Sequence, residues 1–556
     1  MSRFLATLLD SAARSQHGMV TGEPRQPARR TWAQVHEQAM AMAAALRADH
    51  DGQPGLRHGG AVGVLAGEPV AIAPLAQAVW LCGGSVTMLH QPTARTDLAA
   101  WAEDTVSVLK MIDAALVVLG SPFDALAPVL TERGIPFRTI DALDGGTATG
   151  TPDAAVATEG DTALLQLTSG STAEPKAVRI THGNLDANIT AMVQASRLDL
   201  DRDVMVSWLP LFHDMGMVGF LTVPMTVGLE LVTVTPVDFL SRPLLWAELI
   251  SNYGGTVTAA PNFAYAVLGR QLARADGPLD LSTLRIALNG AEPIDPVAVG
   301  ALVDAGARFG LRPEAVLCAY GMAETALGVA FAPVETGLAV DEIDADDLES
   351  RRLATPGTGR SFPKLGPPLP GIEVRAVGDD GSVLGERQVG VLQLRGPSVA
   401  PGYLTVNGPV SAQDAEGWLD TGDEGYLADG QVVVCGRRKD LIIMGGRNIY
   451  PTDIERAAAE AEGVRAGNAV AVRLGAGEGR HRESFAVAVE SRKAGDADAE
   501  RAIAKDVTSL VVSAVGVRPA QVVVLAPGTL PKTPSGKLRR AATGELLTHR
   551  NAANRT

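Results

Sequence analysis

The sequence predicts an α/β chain, with parallel sheets packed between helices in a large N-terminal domain and a small α+β domain behind it. Three observations carry that expectation. Helical patterns such as 31–47 alternate with short β-branched runs at 61–65, 115–119 and 229–235. From Gly371 the texture changes to short strands separated by turn signals, the pattern of an antiparallel β-subdomain. Beyond Cys435, two helices and three strands are enough for one compact domain.

At 556 residues the chain has room for two to four domains of roughly 100–200 residues each. Near the start, the apolar run 4–9 (FLATLL) is interrupted by Asp10 and Arg14, too early for a signal-peptide core, and no small-residue cleavage site follows. A cytoplasmic protein is expected. The 21 residues 69–89 carry no charge and have about the length of a membrane span. Two prolines, Gln77 and the pair Gly83-Gly84 divide them into a short helix and a strand VTML, so no integral membrane segment is expected. The β-subdomain, 371–435, is read from GIEVRAV, GDDGS, GVLQLRG, the GYL of 402–404 and DGQVVVCGR. A boundary near Cys435 separates residues 1–435 from 436–556. The second part holds a helix at 452–462, strands at 468–472 and 484–489, a helix at 498–515 and the strand VVVLA, and the final HRNAANRT reads as frayed.

Lys plus Arg number 48 and Asp plus Glu 63, a formal charge of −15 that repels phosphodiester and anionic lipid surfaces, so nucleic acid is not an expected partner. Hydrophobic residues make up 46% and charged residues 20%, a globular balance, while aromatics are only 4%, so small side chains build much of the core. Cys82, Cys318 and Cys435 lie far apart with no CxxC pair, and read as buried apolar residues in a reducing compartment.

Five motifs carry chemistry. In 164–176, LLQLTSGSTAEPK, an apolar run ends in a Thr/Ser/Gly loop and a lysine, which suits either a phosphate cradle or a solvated turn; the Walker A spacing is absent. NGAEP at 289–293 and YGMAET at 320–325 bring an aromatic, close-approach glycines and Glu324, which is either a magnesium-side carboxylate or a surface acid. WLDTGDEG at 418–425 sets Asp423 beside glycine ahead of a strand, suited to two ribose hydroxyls and equally to a plain hairpin. GRRKDLIIMGGRNIYPTDIE spans 436–455, and LPKTPSGKLRR at 530–540 puts Lys537 in a flexible loop that is either a mobile catalytic cation or a basic tail.

Together, in this order and at these spacings, the motifs resemble the adenylate-forming superfamily of acyl-CoA synthetases, luciferases and adenylation domains, over essentially the whole chain. The resemblance implies the adenylate-forming enzyme fold with a mobile C-terminal domain, and ATP and Mg2+ as cofactors. It implies that Thr168, Ser169, Gly170, Ser171, Thr172 and Lys176 form the phosphate loop. Asn289, Gly290, Ala291, Glu292 and Tyr320 would line the adenine, with Gly321, Met322 and Ala323 completing the nucleotide site. Glu324 would bind the metal, Asp423 the ribose with Arg437 in support, Lys439 would be the hinge and Lys537 the mobile catalytic lysine.

Within the superfamily, WLPLFHDMGMVG at 208–219 and GRNIYPTDIE at 446–455 resemble the fatty acyl-AMP ligases, which pass acyl groups to an acyl carrier protein. His213 joins the catalytic set by that likeness, and Asp214 the substrate site. Ala323 stands where many CoA ligases place a phosphate-contacting threonine. The segment 333–366 resembles the ligases' insertion; within it VDEIDADDLESRRL has the amphipathic spacing of a short docked helix, with Val340, Ile343 and Leu348 expected to pack on the large N-terminal domain. TAAPNFAY at 258–265 and LPKTPSGKLRR are similar to the acyl-AMP ligases of mycobactin-type siderophore assembly. A fatty acid substrate needs an apolar tunnel, for which Phe212, Met215, Met217, Phe220 and Phe263 are candidates, and each also suits ordinary core. The expected activity is ATP-dependent formation of an acyl-adenylate with release of pyrophosphate, followed by transfer to a carrier protein; a conventional acyl-CoA synthetase is the alternative.

Overall fold

A computed structural model describes residues 1–50, 52, 54–92, 96–144, 157–168, 175–444, 447–474, 484–532 and 537–553. The chain divides into two compact units. The first comprises Met1–Ala339, Leu365–Val374 and Leu394–Leu419, and the second Val340–Lys364, Arg375–Gln393 and Asp420–Thr556.

The first unit forms as the periodicity predicts. Thr31 caps the helix Trp32–Arg47 with a reciprocal capping box, its hydroxyl accepting from Gln34 N–H at 3.2 Å while Gln34 Oε1 accepts from Thr31 N–H at 2.9 Å. The uncharged stretch resolves into the helix Pro69–Leu81, buried on nearly every side, and the strand Ser85–Met88. An apolar helix without a polar face belongs in a protein core. Gly83 turns the chain between them at φ +73°, where a β-carbon would stand 2.4 Å from His58 Nδ1.

Two eight-stranded sheets organise this unit. One runs, in spatial order, Gly328–Phe331, Val316–Gly321, Ile286–Asn289, Val257–Ala260, Val204–Ser207, Glu230–Thr233, Gly18–Thr21 and Ala28–Thr31. Its inner strands are parallel and its two outermost pairings antiparallel. The other runs Gly408–Ser411, Gly402–Thr405, Lys176–Thr181, Thr162–Thr168, Ser85–Met88, Ala61–Leu65, Ala114–Leu119 and Phe137–Thr139. All three cysteines are buried and free, and burial pushes the thiols of Cys82 and Cys318 up to about 11 and about 12.

In the second unit, a three-stranded sheet of Ala469–Leu474, Ser484–Glu490 and Gln521–Leu525 splits its side chains between two faces. Phe485, Val487 and Val489 pack with Ile454, Val507 and Val511 of the helices Pro451–Ala459 and Ala497–Val515. Ala486 and Ala488 pack with Leu547 of the last helix, Arg540–Ala553. The expected fraying of 549–556 is corrected over 549–553, which continue that helix, because buried Leu547 anchors its later turns.

Two further expectations change. Residues 340–364 do form a short helix, Ala345–Arg351, capped by Asp344, but Val340 and Ile343 sit on the preceding strand Val340–Asp344. The segment also does not group with the large N-terminal unit. Ile343, Leu348, Ala354 and Phe362 share one buried cluster with Tyr426, Val433 and Cys435 and with Leu441 and Tyr450. That cluster holds together residues on both sides of Cys435, and residue 435 lies inside the second unit. Ion pairs reinforce it: Arg447 pairs with Glu349, and Arg360 reaches both Glu349 and, at 3.0 Å, Asp453.

Candidate active site

Four adjacent parallel strands of the first unit, Val204–Ser207, Val257–Ala260, Ile286–Asn289 and Val316–Gly321, run directly into the motifs. WLPLFHD, PNF, GAEP and MAET follow their carboxyl ends, the side of a parallel sheet where α/β proteins build ligand sites. One sheet thus collects motifs that stand more than a hundred residues apart.

At the second and third of these ends, the buried Asn289 donates through Nδ2 to Asn262 Oδ1 at 3.1 Å, and Asn262 Oδ1 also accepts from Asp295 N–H at 3.2 Å. Asn289 Oδ1 is buried with no partner among the described residues. Glu292 accepts the Phe263 N–H at 2.6 Å, which commits its carboxylate to the start of the helix Asn262–Leu272. Ala291 holds φ at +69°, a left-handed conformation that a non-glycine residue keeps only under constraint. Tyr320, half-buried, is the next-to-last residue of the fourth strand. At Gly321 a β-carbon would stand 2.3 Å from Leu327 O, so only glycine fits there.

Glu324 lies in the single turn Ala323–Thr325, whose backbone is pinned by Ala400 N–H donating to Glu324 O at 2.7 Å. Its Oε1 accepts from the Tyr403 hydroxyl at 3.0 Å and stands 3.5 Å from Lys176 Nζ. The same ammonium sits 3.9 Å above the Tyr403 ring centre. In the sequence Tyr403 reads as a plain strand residue, and its place beside Glu324 has no local signal. Thr168 and Lys176 face each other as register partners across the hairpin Thr162–Thr168 and Lys176–Thr181, and Thr168 Oγ1 is buried without a partner among the described residues. Ser169, Gly170, Ser171 and Thr172 lie outside the described residues.

Along WLPLFHD, Gln166 Nε2 donates to Phe212 O at 3.0 Å. Asp214 Oδ1 accepts the Met215 N–H at 2.7 Å and lies 2.6 Å from His213 Nδ1. The His90 ring meets Phe212 edge-on at 5.7 Å; burial, with His213 nearby, lowers its imidazole to about 4, so it is neutral. Met215–Thr222 is a π-helical turn, a rare form that recurs at functional sites, and a β-carbon on Gly216 would stand 2.3 Å from Pro210 O. Phe212, Met215, Met217 and Phe220 are buried, Phe263 is half-buried, and the buried Trp208 stacks on Phe239 at 3.9 Å.

The remaining predicted residues fall in the second unit. Asp423 and Arg437 are register partners on Leu419–Ala428 and Gln431–Arg437, joined Oδ1 to Nε at 2.9 Å, with Asp423 buried. Lys439 is exposed in the turn Arg438–Asp440. Lys537 stands beside the base of its loop, where Lys532 and Leu538 bridge and Arg539 N–H donates to Pro531 O at 2.9 Å; residues 533–536 lie outside the described residues. Three residues on, Arg540 grips Glu455 through Nε at 3.0 Å and Nη2 at 2.7 Å and reaches Asp440 at 3.1 Å, which ties the lysine loop to the turn carrying Lys439.

The sequence pattern of the family described as AMP-binding enzyme matches residues 11–404. A Mycobacterium tuberculosis (strain H37Rv) protein given the name of a ligase, Rv1013, is 56% identical over 554 residues, 99% of this chain and 100% of that one. Long-chain-fatty-acid–AMP ligase FadD23 of Mycobacterium tuberculosis (strain CDC 1551) is 33% identical over 411 residues, 70% of this chain and 69% of that one. A solved structure from studies of fatty acyl-adenylate ligases from E. coli and L. pneumophila matches with TM-score 0.88 at 30% identity, covering 100% of this chain and 98% of that chain. The fold is that of the adenylate-forming enzymes, and the chain belongs to the family of AMP-binding enzymes.

Proposed function

We propose that the protein joins a fatty acid to AMP, releasing pyrophosphate from ATP, and passes the acyl group to an acyl carrier protein for lipid or siderophore assembly. The observation that carries this reading is that Asn289, Glu324 and the 208–214 motif gather at the carboxyl ends of one set of parallel strands, with Lys176 of the other eight-stranded sheet 3.5 Å from Glu324, in a chain similar to FadD23. The two orphaned buried atoms, Asn289 Oδ1 and Thr168 Oγ1, support a polar ligand there, since buried polar groups otherwise find partners.

A fatty carboxylate attacking the α-phosphate of ATP brings two anions together, so the site must supply positive charge and hold the attack in line. Lys537 delivers that charge to the α-phosphate. The carboxylate is already ionised at neutral pH, so no general base is needed. Asp423 accepts both ribose hydroxyls while Arg437 fixes its orientation, Asn289 and Tyr320 hold the base, and the Thr168 hydroxyl and Lys176 meet the phosphates. His213, held by Asp214, closes the carboxylate side, and Phe212, Met215, Met217, Phe220 and Phe263 line the acyl chain.

Magnesium uses one or two carboxylates and takes its other ligands from substrate phosphates and water. Glu324 offers one buried carboxylate, and no group of three or more His, Cys, Asp or Glu able to hold a metal occurs among the described residues. This donor set fits an ion carried in on the nucleotide, and such an ion would neutralise phosphate charge when bound. For the acceptor, residues 340–364 contact both sides of Lys439, packing on Tyr426 and Val433 before it and on Tyr450 after it. A pivot at 438–440 would have to rearrange those contacts, so the segment restrains that motion, while the carrier protein as acceptor follows from the likeness of WLPLFHDMGMVG and GRNIYPTDIE to the fatty acyl-AMP ligases.

Pyrophosphate release measured with ATP across fatty acids of different length, with coenzyme A or a phosphopantetheinylated carrier protein added, tests the reading. Release should require the fatty acid, and acyl transfer should follow only with the carrier protein. Formation of acyl-CoA at the rate of adenylation would replace this reading with a conventional synthetase.

A further inference from the structure

Lys176, Glu324 and Tyr403 form a closed triangle, and the proposed chemistry leaves its third member without a role. Lys176 pairs in register with Thr405 and Val178 with Tyr403, so Lys176 and Tyr403 are diagonal neighbours on one face of the sheet. The backbone bond from Ala400 to Glu324 fixes the carboxylate's turn just ahead of the Tyr403 strand. Tyr403 therefore meets both charges from a rigid position: its hydroxyl on Glu324 Oε1 at 3.0 Å, its ring face under Lys176 Nζ at 3.9 Å.

We propose that Tyr403 is a positioning residue for the Glu324 carboxylate, and that Lys176 is a built-in counter-ion which holds that carboxylate until a divalent cation arriving on the nucleotide displaces it. The inference rests on the nucleotide site proposed above. The Glu324 side chain is 11% exposed, and a carboxylate so far removed from water is costly without a cation. At 3.5 Å, with the lysine side chain 32% exposed, the pair is loose enough that a doubly charged ion on the same oxygen outcompetes it. The displaced ammonium keeps the Tyr403 ring face as a resting place. From there its neighbour across the hairpin is Thr168, at the start of the loop assigned to the phosphates. One ring thus stores the lysine and one hydroxyl keeps the carboxylate aimed.

Binding of Mn2+, a paramagnetic stand-in for magnesium, can be read by electron paramagnetic resonance without any fatty acid, on the full chain, with and without a non-hydrolysable ATP analogue. Tyr403→Phe keeps the ring and loses the hydroxyl. It should weaken Mn2+ binding in the presence of the analogue about tenfold, the scale of one hydrogen bond to a charged group, with the melting temperature unchanged. Lys176→Met should do the opposite without nucleotide, strengthening Mn2+ binding at least about threefold because the carboxylate has lost its competitor. Wild-type Mn2+ affinity in folded Tyr403→Phe removes Tyr403 from the positioning role. Unchanged or weaker nucleotide-free binding in Lys176→Met removes the counter-ion role, and it decides that point even if Tyr403→Phe fails to fold. Absence of analogue-dependent Mn2+ binding in the unaltered protein would instead overturn the nucleotide site itself.

Discussion

Lys537 and Asp423 are both charged and both assigned to ATP, yet their loss should read out differently. A lysine that meets charge developing on the α-phosphate acts mainly in the transition state, so Lys537→Ala should slow pyrophosphate release by at least about 10²-fold while ATP still binds. An aspartate on the ribose contributes equally before and during reaction, so Asp423→Ala should raise the ATP KM with kcat far less affected. Steady-state kinetics beside equilibrium ATP binding separates the two; a wild-type release rate in Lys537→Ala, or an unmoved KM in Asp423→Ala, would retract the corresponding role. His213 and Asp214 were legible in the sequence because they stand together in the single motif WLPLFHD. Tyr403 was not, because its partner Glu324 lies 79 positions away and only the sheet brings them together.

Among elements, those with their own start and stop signals came through closely. Thr31 capping Trp32–Arg47 and Asp496 capping Ala497–Val515 are local chemistry, and the run 61–65 is the strand Ala61–Leu65. Residues 340–364 show where that legibility ends. An amphipathic pattern says which face is buried and is silent about what buries it, so the pattern found Ile343 and Leu348 but not their neighbours Tyr426, Val433 and Tyr450. Because the segment supplies core, trimming it removes packing as well as any restraint on motion. Leu348→Ala should destabilise the protein by about 2–5 kcal/mol, as buried leucine truncations do, whereas Arg351→Ala on the exposed side of the same helix should change stability by about 0.5 kcal/mol or less. Equal midpoints for the two variants in urea would show that the cluster does not depend on this helix.

On the scale of the whole molecule, acid should loosen the first unit before carboxylate protonation begins. His182 is fully buried at the start of the helix His182–Ser196, bonded to Ser2 Oγ at 3.0 Å and edge-on to Phe4 at 5.4 Å, so it docks the N-terminal helix Arg3–Arg14. Burial lowers its imidazole to about 4; Asp161 and Glu159 nearby oppose that shift, and His58 adds to it. As pH falls below 6.5 the unfolded chain takes up a proton that the folded chain refuses, so stability is full above 6.5 and is lost progressively toward 4. Between pH 7.5 and 5 this one residue removes about 2 kcal/mol, with His90 acting in the same direction. Asp161 and Asp203, held low by their partners, lose their contribution only below 3.8 and stay outside that window. Glu455 and Asp453, raised by burial, work in the opposite sense in the second unit, gaining stability as pH falls. The two units can be told apart because all six tryptophans, Trp32, Trp80, Trp101, Trp208, Trp246 and Trp418, belong to the first. Urea unfolding followed by tryptophan fluorescence should therefore show a lower midpoint at pH 5 than at 7.5, and His182→Gln should cut that difference by about half, leaving the share of His90. A difference of the same size in His182→Gln would place the acid sensitivity elsewhere in the unit.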